Sequence, residues 1–284
     1  MTIKQAILEA EEAFEAAGVP DPRIDAELIV SHVTGHDRMS ILLNGQTALT
    51  NEQEQRFSSL LLSRTQRKPL QYLLGTQYFF GLPFQVDERV LIPRQETETL
   101  CEHGIAFLRG LKRPARALDL CTGSGAIAVT LRHECPFADV TAADLSPDAL
   151  EVACTNARLN QTDVRFVQGD LWQPLQDEAF DLILSNPPYI PTADCDVLQQ
   201  EVLQEPCMAL DGGTDGLDFY RRIAQGAPAH LVPGGMIAVE AGIGEAESIA
   251  ALFATAGLVD VQVINDLYGV ARIVSARLRS DKNV

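Results

Sequence analysis

Positive charge is scarce in this 284-residue chain: 22 Lys plus Arg stand against 39 Asp plus Glu, a formal net charge of -17 at pH 7. Nucleic acid is held largely by neutralising phosphates, so bulk attraction to DNA or RNA is not expected. A basic protein partner, or a local patch for nucleic acid, stays open. Cysteine is sparse and dispersed at Cys101, Cys121, Cys135, Cys154, Cys195 and Cys207, with no CxxC pair. That excludes a disulfide frame or a zinc site and reads as reduced thiols in the cytosol. No apolar run of ~18 residues exists, so no membrane-spanning helix is expected. Met1 to Gln5 lead into a mixed polar helix rather than the apolar centre of a signal peptide. His32 and His36 lie four apart with no third ligand nearby, so no metal is expected. A cytoplasmic monomer is the expectation.

What is present is an ordinary globular mixture, 46% apolar and 21% charged, which excludes disorder as the main state. The length exceeds one typical domain, so two are expected. Residues 1–75 are helical by apolar spacing and form a small domain. Ile3, Ile7, Ala10 and Phe14 share one helical face, and Gly18 to Pro22 end that helix. Asp21 and Pro22 open a second helix, as N-cap and first residue, that carries Ala26, Leu28, Ile29, Val30 and Val33 and stops at Gly35. Thr50 with Gln53 forms a capping box that opens a third, with Phe57, Leu60, Leu61 and Leu62. Residues 76–90 read as a β-hairpin linker: Tyr78 to Phe80, a turn at Gly81-Leu82-Pro83, then Phe84 to Val86. Its aromatics are expected to pack under a hinge.

From residue 91 onward strands and helices alternate. The strands are read at Ala117–Leu120, Val140–Ala143, Val164–Val167, Phe180–Leu184, Met236–Val239, Val261–Ile264 and Arg272–Ala276. Ser146, Pro147 and Asp148 start the helix after the second strand. The last two strands are too close for a helical crossover and must pair antiparallel. The fold class is therefore α/β: a doubly wound, Rossmann-like, mostly parallel seven-stranded sheet with an antiparallel edge hairpin, plus the small α-helical N-terminal domain.

Ligands of such sheets lie beyond the carboxyl ends of the strands. There stand Asp119, Asp144, Asp170 and Asn186, with Cys121-Thr122-Gly123-Ser124-Gly125 following Asp119. Gly123 and Gly125 remove Cβ atoms where a ligand approaches the backbone. Gly123 to Ala128 also fits a variant dinucleotide turn, so the turn alone leaves two cofactor classes open. In either, Asp144 is placed to accept both hydroxyls of a ribose. One acidic strand end alone reads as a solvated carboxylate or a helix cap. Three of them beside a glycine turn read as a site.

Asn186-Pro187-Pro188-Tyr189 separates the classes. Two prolines after a strand are an ordinary break, and hydride transfer has no use for the tetrapeptide. Methylation of a planar nitrogen does. An amide lone pair is delocalised, so it must be aimed at the sulfonium methyl group. Asn186 Oδ1 and the Pro187 carbonyl can each accept one N–H of a substrate NH2 and favour a pyramidal nitrogen as charge develops. Pro187 and Pro188 stiffen the loop, and Tyr189 offers a ring face. Asn186, Pro187 and Tyr189 are thus the catalytic candidates, and Asn186 to Tyr189 the substrate-binding ones.

These segments resemble class I S-adenosylmethionine-dependent methyltransferases. Lys68-Pro-Leu-Gln-Tyr-Leu-Leu-Gly75, Val90-Leu-Ile-Pro-Arg-Gln-Glu-Thr-Glu98 and Glu205-Pro-Cys-Met-Ala-Leu210, followed by Gly212-Gly213 and Asp215-Gly-Leu217, resemble the HemK/PrmC family. The likeness runs on to Asp266–Arg272. These are protein-(glutamine-N5) methyltransferases of peptide chain release factors. The resemblance implies transfer of a methyl group from S-adenosylmethionine, leaving S-adenosylhomocysteine, to the glutamine of a Gly-Gly-Gln motif. It implies that Cys121 to Gly125 line the methionine and ribose side, that Asp144 holds the ribose and that Asp170 and Leu171 border the adenine. Asn186 completes the cofactor wall. Arg94, Glu96 and Glu98 would brace the site, with Asp119 and Glu240 in support, and the helical domain would recognise the partner. Cys121 stands where the family usually has Gly, and Gln95 where it usually has Pro.

Cys121 has no base indicated beside it and reads as a wall residue rather than a nucleophile. The acidic stretch Leu198 to Glu205 is either a solvated helix or a steering surface for a basic partner. The rival functions are a glutamine methyltransferase of a ribosomal protein, an amino methyltransferase of nucleic acid and an inactive binding module. The charge opposes the second, and the intact Asn-Pro-Pro-Tyr opposes the third.

Overall fold

The computed structural model describes residues 1–266 and 268–280; Leu267, within the tail stretch noted above, lies outside the described residues. The chain divides into two compact units. One comprises Met1–Gly75 with Gln199–Gln204; the other comprises Thr76–Leu198 and the residues from Glu205 onward.

The first unit contains α1 (Ile3–Ala16), α2 (Pro22–Thr34), α3 (Arg38–Leu43), α4 (Asn51–Thr65) and α5 (Leu70–Leu74). The Thr50–Gln53 capping box is present, and a second one, Thr2–Gln5, opens α1. Each satisfies backbone N–H groups that the first helical turn leaves without a partner. Gly35 ends α2 in the left-handed conformation, whereas the Asp21 side chain makes no capping bond. Ile3, Ile7, Ala10 and Phe14 meet Ile29, Val30 and Phe57 in one core. Leu28 and Leu62, expected inward, are exposed, because the buried stripes of α2 and α4 are narrower than their apolar content. Truncation of a fully buried Phe such as Phe14 or Phe57 costs about 3–5 kcal/mol.

The acidic stretch is neither a solvated helix nor a free steering surface. Residues 199–204 belong to this helical unit. Arg67 donates to both oxygens of Glu201 at 2.6 Å, and Arg64 Nη1 adds a bond at 2.9 Å. Arg64 Nε donates to Asp25 Oδ2 at 2.7 Å, with the Arg64 side chain 4% exposed.

The second unit begins with β1 (Thr76–Phe79) and β2 (Leu82–Gln85). The turn falls at Phe80-Gly81, both at positive φ, and not at Gly81-Leu82-Pro83. Two successive positive φ values match the twist of a tight hairpin. The hairpin is not a free linker: Phe79 and Phe84 meet edge-on and are buried in this unit's core. Then follow α6 (Glu96–Leu111), β3 (Ala115–Leu120), α7 (Ala126–Glu134), β4 (Ala138–Asp144), α8 (Pro147–Leu159), β5 (Val164–Gln168), β6 (Phe180–Ser185), α9 (Asp218–His230), β7 (Leu231–Glu240), α10 (Ala246–Thr255), β8 (Val259–Asn265) and β9 (Ala271–Arg277).

The seven-stranded sheet has the order β5-β4-β3-β6-β7-β9-β8. β3 to β7 are parallel, and β9 pairs antiparallel with both β7 and β8. β6 is buried at all six positions, as a central strand covered on both faces must be. β5 and β8, the two edges of the sheet, have no fully buried position and mix half-buried with exposed residues. The chain order reverses between β3 and β6, and the crevice at that reversal is where a doubly wound sheet takes its ligand.

Candidate active site

At the end of β3, Asp119 is fully buried. Its Oδ2 accepts from Thr122 Oγ1 at 2.5 Å and from Ala128 N at 3.0 Å, which ties the glycine turn to the start of α7. Burial lifts its carboxyl to about 7. The turn puts Cys121, Gly123 and Gly125 at positive φ. A Cβ on Gly125 would lie 3.0 Å from Ala153 Cβ, so α8 closes on the turn only because Gly stands there. Cys121 bears a side chain in that left-handed region, at a cost of about 1–2 kcal/mol. Burial, and then Asp144, push its thiol far above the ordinary value, which opposes thiolate chemistry.

Asp144 ends β4. Its Oδ2 accepts from Gly123 N at 2.8 Å and its Oδ1 from Ser146 N at 2.9 Å. Burial raises its carboxyl, while backbone N–H groups hold it down. Ser146 caps α8 through Ala149 N. Beyond β5, Leu171 also has positive φ, and Asp170 is paired with Arg222 at 2.7 Å.

These groups enclose a cavity of about 420 Å³, within the range of small-molecule sites. Its wall includes Cys121 to Ser124, Asp144, Asp170, Leu171, Arg94, Asn186 and Pro188. Among the described residues, Gly125, Asp119, Glu96, Glu98, Pro187, Tyr189 and Glu240 are not part of that wall. Glu98 is instead committed to the hairpin, accepting from Phe80 N at 2.7 Å. Tyr189 is partly buried, and burial lifts its hydroxyl to about 12. Its backbone is clasped by the glycine-rich segment. Ile190 N donates to Leu210 O at 2.9 Å and Gly212 N to Ile190 O at 2.8 Å. A Cβ on Gly212 would fall 2.7 Å from Tyr189 Cα.

Three residues outside the expected set complete the frame. Thr97, in the first turn of α6, accepts from Asn186 Nδ2 at 3.2 Å and donates to Glu240 Oε2 at 2.5 Å. Glu205 is buried, accepts from Ile92 N at 3.0 Å and is ion-paired with Arg94. Asn156 accepts from Gln85 N at 2.6 Å and donates to Gln85 O and Ser124 O, joining hairpin and glycine turn. Thr97 and Glu205 lie inside the stretches that carry the family resemblance. Asn156 lies in an unremarkable helix and carries no local signal.

Class I methyltransferases share this sheet order, and similarity to solved structures sets the fold among them. A methyltransferase from Pyrococcus furiosus superposes with a TM-score of 0.53 at 20% identity, covering 81% of this chain and 100% of its own. Residues 5–75 match the PrmC N-terminal domain, and residues 104–214 match the methyltransferase small domain. A release factor glutamine methyltransferase of Geobacter sulfurreducens is 44% identical over 262 residues, 92% of this chain and 91% of the relative. One from Deinococcus radiodurans is 42% identical over 277 residues, 98% of this chain and 99% of the relative. The chain belongs to the release factor glutamine methyltransferase family.

Proposed function

We propose that the chain is an S-adenosylmethionine-dependent protein-(glutamine-N5) methyltransferase acting on the Gly-Gly-Gln glutamine of peptide chain release factors, in the cytoplasm where translation ends. The observation that carries the reading is Asn186 on the cavity wall with its Nδ2 committed to Thr97. The amide oxygen is then the group left to accept an N–H of a substrate amide.

The residues present fit the cofactor. Each Asp144 oxygen accepts one backbone N–H, and a carboxylate has about four lone-pair sites, so two remain for a ribose diol. Leu171 gives an apolar border for a base, and Cys121 to Ser124 wall the cavity beside it, with Gly125 behind them letting α8 close on the turn. S-adenosylmethionine supplies an electrophilic methyl group on a sulfonium and becomes S-adenosylhomocysteine. The glutamine nitrogen gains that methyl and releases one proton to water.

Asn186 Oδ1, with the Pro187 carbonyl, accepts the two N–H groups and orients the lone pair. The stiff Pro187-Pro188 backbone and the clasp on Tyr189 keep those acceptors in place. Arg94, fixed by Glu205, walls the cavity. Asp119 holds the glycine turn. No general base is required, because the nitrogen becomes acidic as it acquires positive charge. Residues 1–75 are assigned to recognition of the release factor, as a unit with its own core and none of the cavity residues.

The test is transfer of tritiated methyl from the cofactor to purified release factor, ribosomal proteins and DNA, with mass spectrometry of the product. A gain of one methyl on the Gly-Gly-Gln glutamine is expected. Label confined to ribosomal protein, lysine, arginine or adenine overturns the assignment.

A further inference from the structure

Asn186, Thr97 and Glu240 come from three distant places: the exit of β6, the first turn of α6 and the end of β7. Thr97 and Glu240 are buried, at 5% and 2% exposure. The Thr97 hydroxyl oxygen lies 2.5 Å from Glu240 Oε2 and 3.2 Å from Asn186 Nδ2.

A hydroxyl has one proton to give, and an ionised carboxylate only accepts. The Thr97 proton is therefore committed to Glu240, and Thr97 can only accept from Asn186. The two ends of an asparagine amide are nearly the same size, so hydrogen bonding decides which end faces the cavity. We propose that Glu240 and Thr97 are positioning residues whose fixed donor-to-acceptor order holds Asn186 with Oδ1 toward the acceptor glutamine. This deepens the function proposed above and rests on it.

Protonation of Glu240 reverses the order. The acid then donates to Thr97, and the Thr97 proton is free to bond the Asn186 oxygen. The amide turns, and its NH2 faces the NH2 of the substrate, donor against donor.

The groups around Glu240 are Thr97, Glu96 and the neutral Cys101 of α6, Arg94 from the loop before it, Arg272 of β9 and Tyr189 after β6. Tyr220 of α9 donates to the Glu240 backbone oxygen at 2.7 Å. Burial lifts the Glu240 carboxyl to about 7; the Thr97 bond, Arg272 and Arg94 oppose the rise and Glu96 adds to it. The switch in order thus falls near neutral pH.

The full-length enzyme is assayed on release factor from pH 6 to 9. Wild-type kcat should rise through about pH 7. Thr97→Val is nearly isosteric and should lower kcat by about 10²-fold, the cost of a misplaced reacting partner, with cofactor affinity unchanged by calorimetry. Thr97→Ser should recover most of the loss. Glu240→Gln should lower kcat similarly and flatten the profile between pH 6 and 8, because its NH2 donates to Thr97 permanently. With 15N-labelled asparagine, the Asn186 side-chain NH2 should exchange slowly with solvent in wild type and faster in Thr97→Val.

Full kcat in Thr97→Val, or a wild-type pH profile in Glu240→Gln, overturns the proposal. Asn186→Ala separates the levels. A slow Asn186→Ala beside a fast Thr97→Val sinks the positioning inference alone; a fast Asn186→Ala sinks the catalytic reading beneath it. Should Glu240→Gln fail to fold, the Thr97 pair still decides.

Discussion

In the helical unit Asp25 and Glu201 are paired with arginines, whereas in the sheet unit Asp119, Asp144 and Glu240 rest on neutral donors, although Glu205 and Asp181 there are ion-paired. Asp25 and Glu201 meet Arg64 and Arg67. The two arginines outweigh burial at Glu201 and hold its carboxylate below its ordinary value, whereas at Asp25 burial outweighs Arg64 and raises the carboxyl. Asp119, Asp144 and Glu240 are bonded instead by hydroxyls and backbone N–H groups, and burial raises all three. An ion pair closes a site to further partners. A carboxylate held by neutral donors keeps lone pairs and unspent charge for a ligand or a neighbour. The contrast separates residues that secure the fold from residues available to chemistry.

The largest effect expected from that contrast is on stability. Arg64→Ala leaves Asp25 without its buried partner, and breaking a buried pair costs about 3–5 kcal/mol. Denaturant unfolding of the full chain should show the loss while calorimetry shows normal cofactor affinity. A normal midpoint would break the comparison at its structural end.

Next in size is the chemistry. Asn186→Ala should lower kcat by about 10²–10³-fold, as removal of one positioned polar partner does, with cofactor binding intact. Near-normal turnover would remove Asn186 from the mechanism.

The raised carboxyls carry a pH signature. A carboxyl with a folded value above its ordinary one favours the folded state while it is protonated. Its contribution is whole below pH 4.5 and is lost as pH rises through about 7. Melting temperature should therefore fall from pH 5 to pH 8. Glu240→Gln should reduce that fall by its share, at most about 3 kcal/mol. An identical slope in the variant would show that Glu240 is not raised.

Asp144→Ala should weaken cofactor binding by about 1.5–3 kcal/mol, the worth of hydrogen bonds to a charged group, read by calorimetry. Unchanged affinity would strike Asp144 from the cofactor site. The smallest effect is at Cys121. Cys121→Gly relieves the left-handed backbone but loses a packed thiol, so thermal unfolding should move by no more than about 1 kcal/mol. A large loss would mean that the thiol, not the backbone, organises the turn.

Much of this was legible because it is local. Thr50 and Gln53 are three apart and bond each other across one turn. In β6 Leu182, Ile183 and Leu184 put apolar side chains on both faces, as a strand covered on both sides does. Acidic residues ending β3 and β4, with glycines after the first, announce a crevice without any knowledge of the neighbours. Local signals also misled. Gly81-Leu82-Pro83 has turn composition, yet Phe80 takes the left-handed position, because burial of Phe79 and Phe84 sets the register of the hairpin. Glu201 and Glu205 look like solvated charge until the arginines that meet them are located, and the partners of Glu201 lie 134 and 137 residues away.

The sequence by itself determined the strand and helix order, the glycine turn, the Asn-Pro-Pro-Tyr acceptor loop and, through its motifs, the family. Each depends on side chains within a few residues, where backbone geometry limits what can meet. Tertiary structure alone decided that Thr97 stands between Asn186, 89 residues on, and Glu240, 143 residues on. That meeting depends on where α6 rests on the sheet and on the register of β6 against β7. Both follow from packing of the whole core, so no short stretch of sequence encodes them.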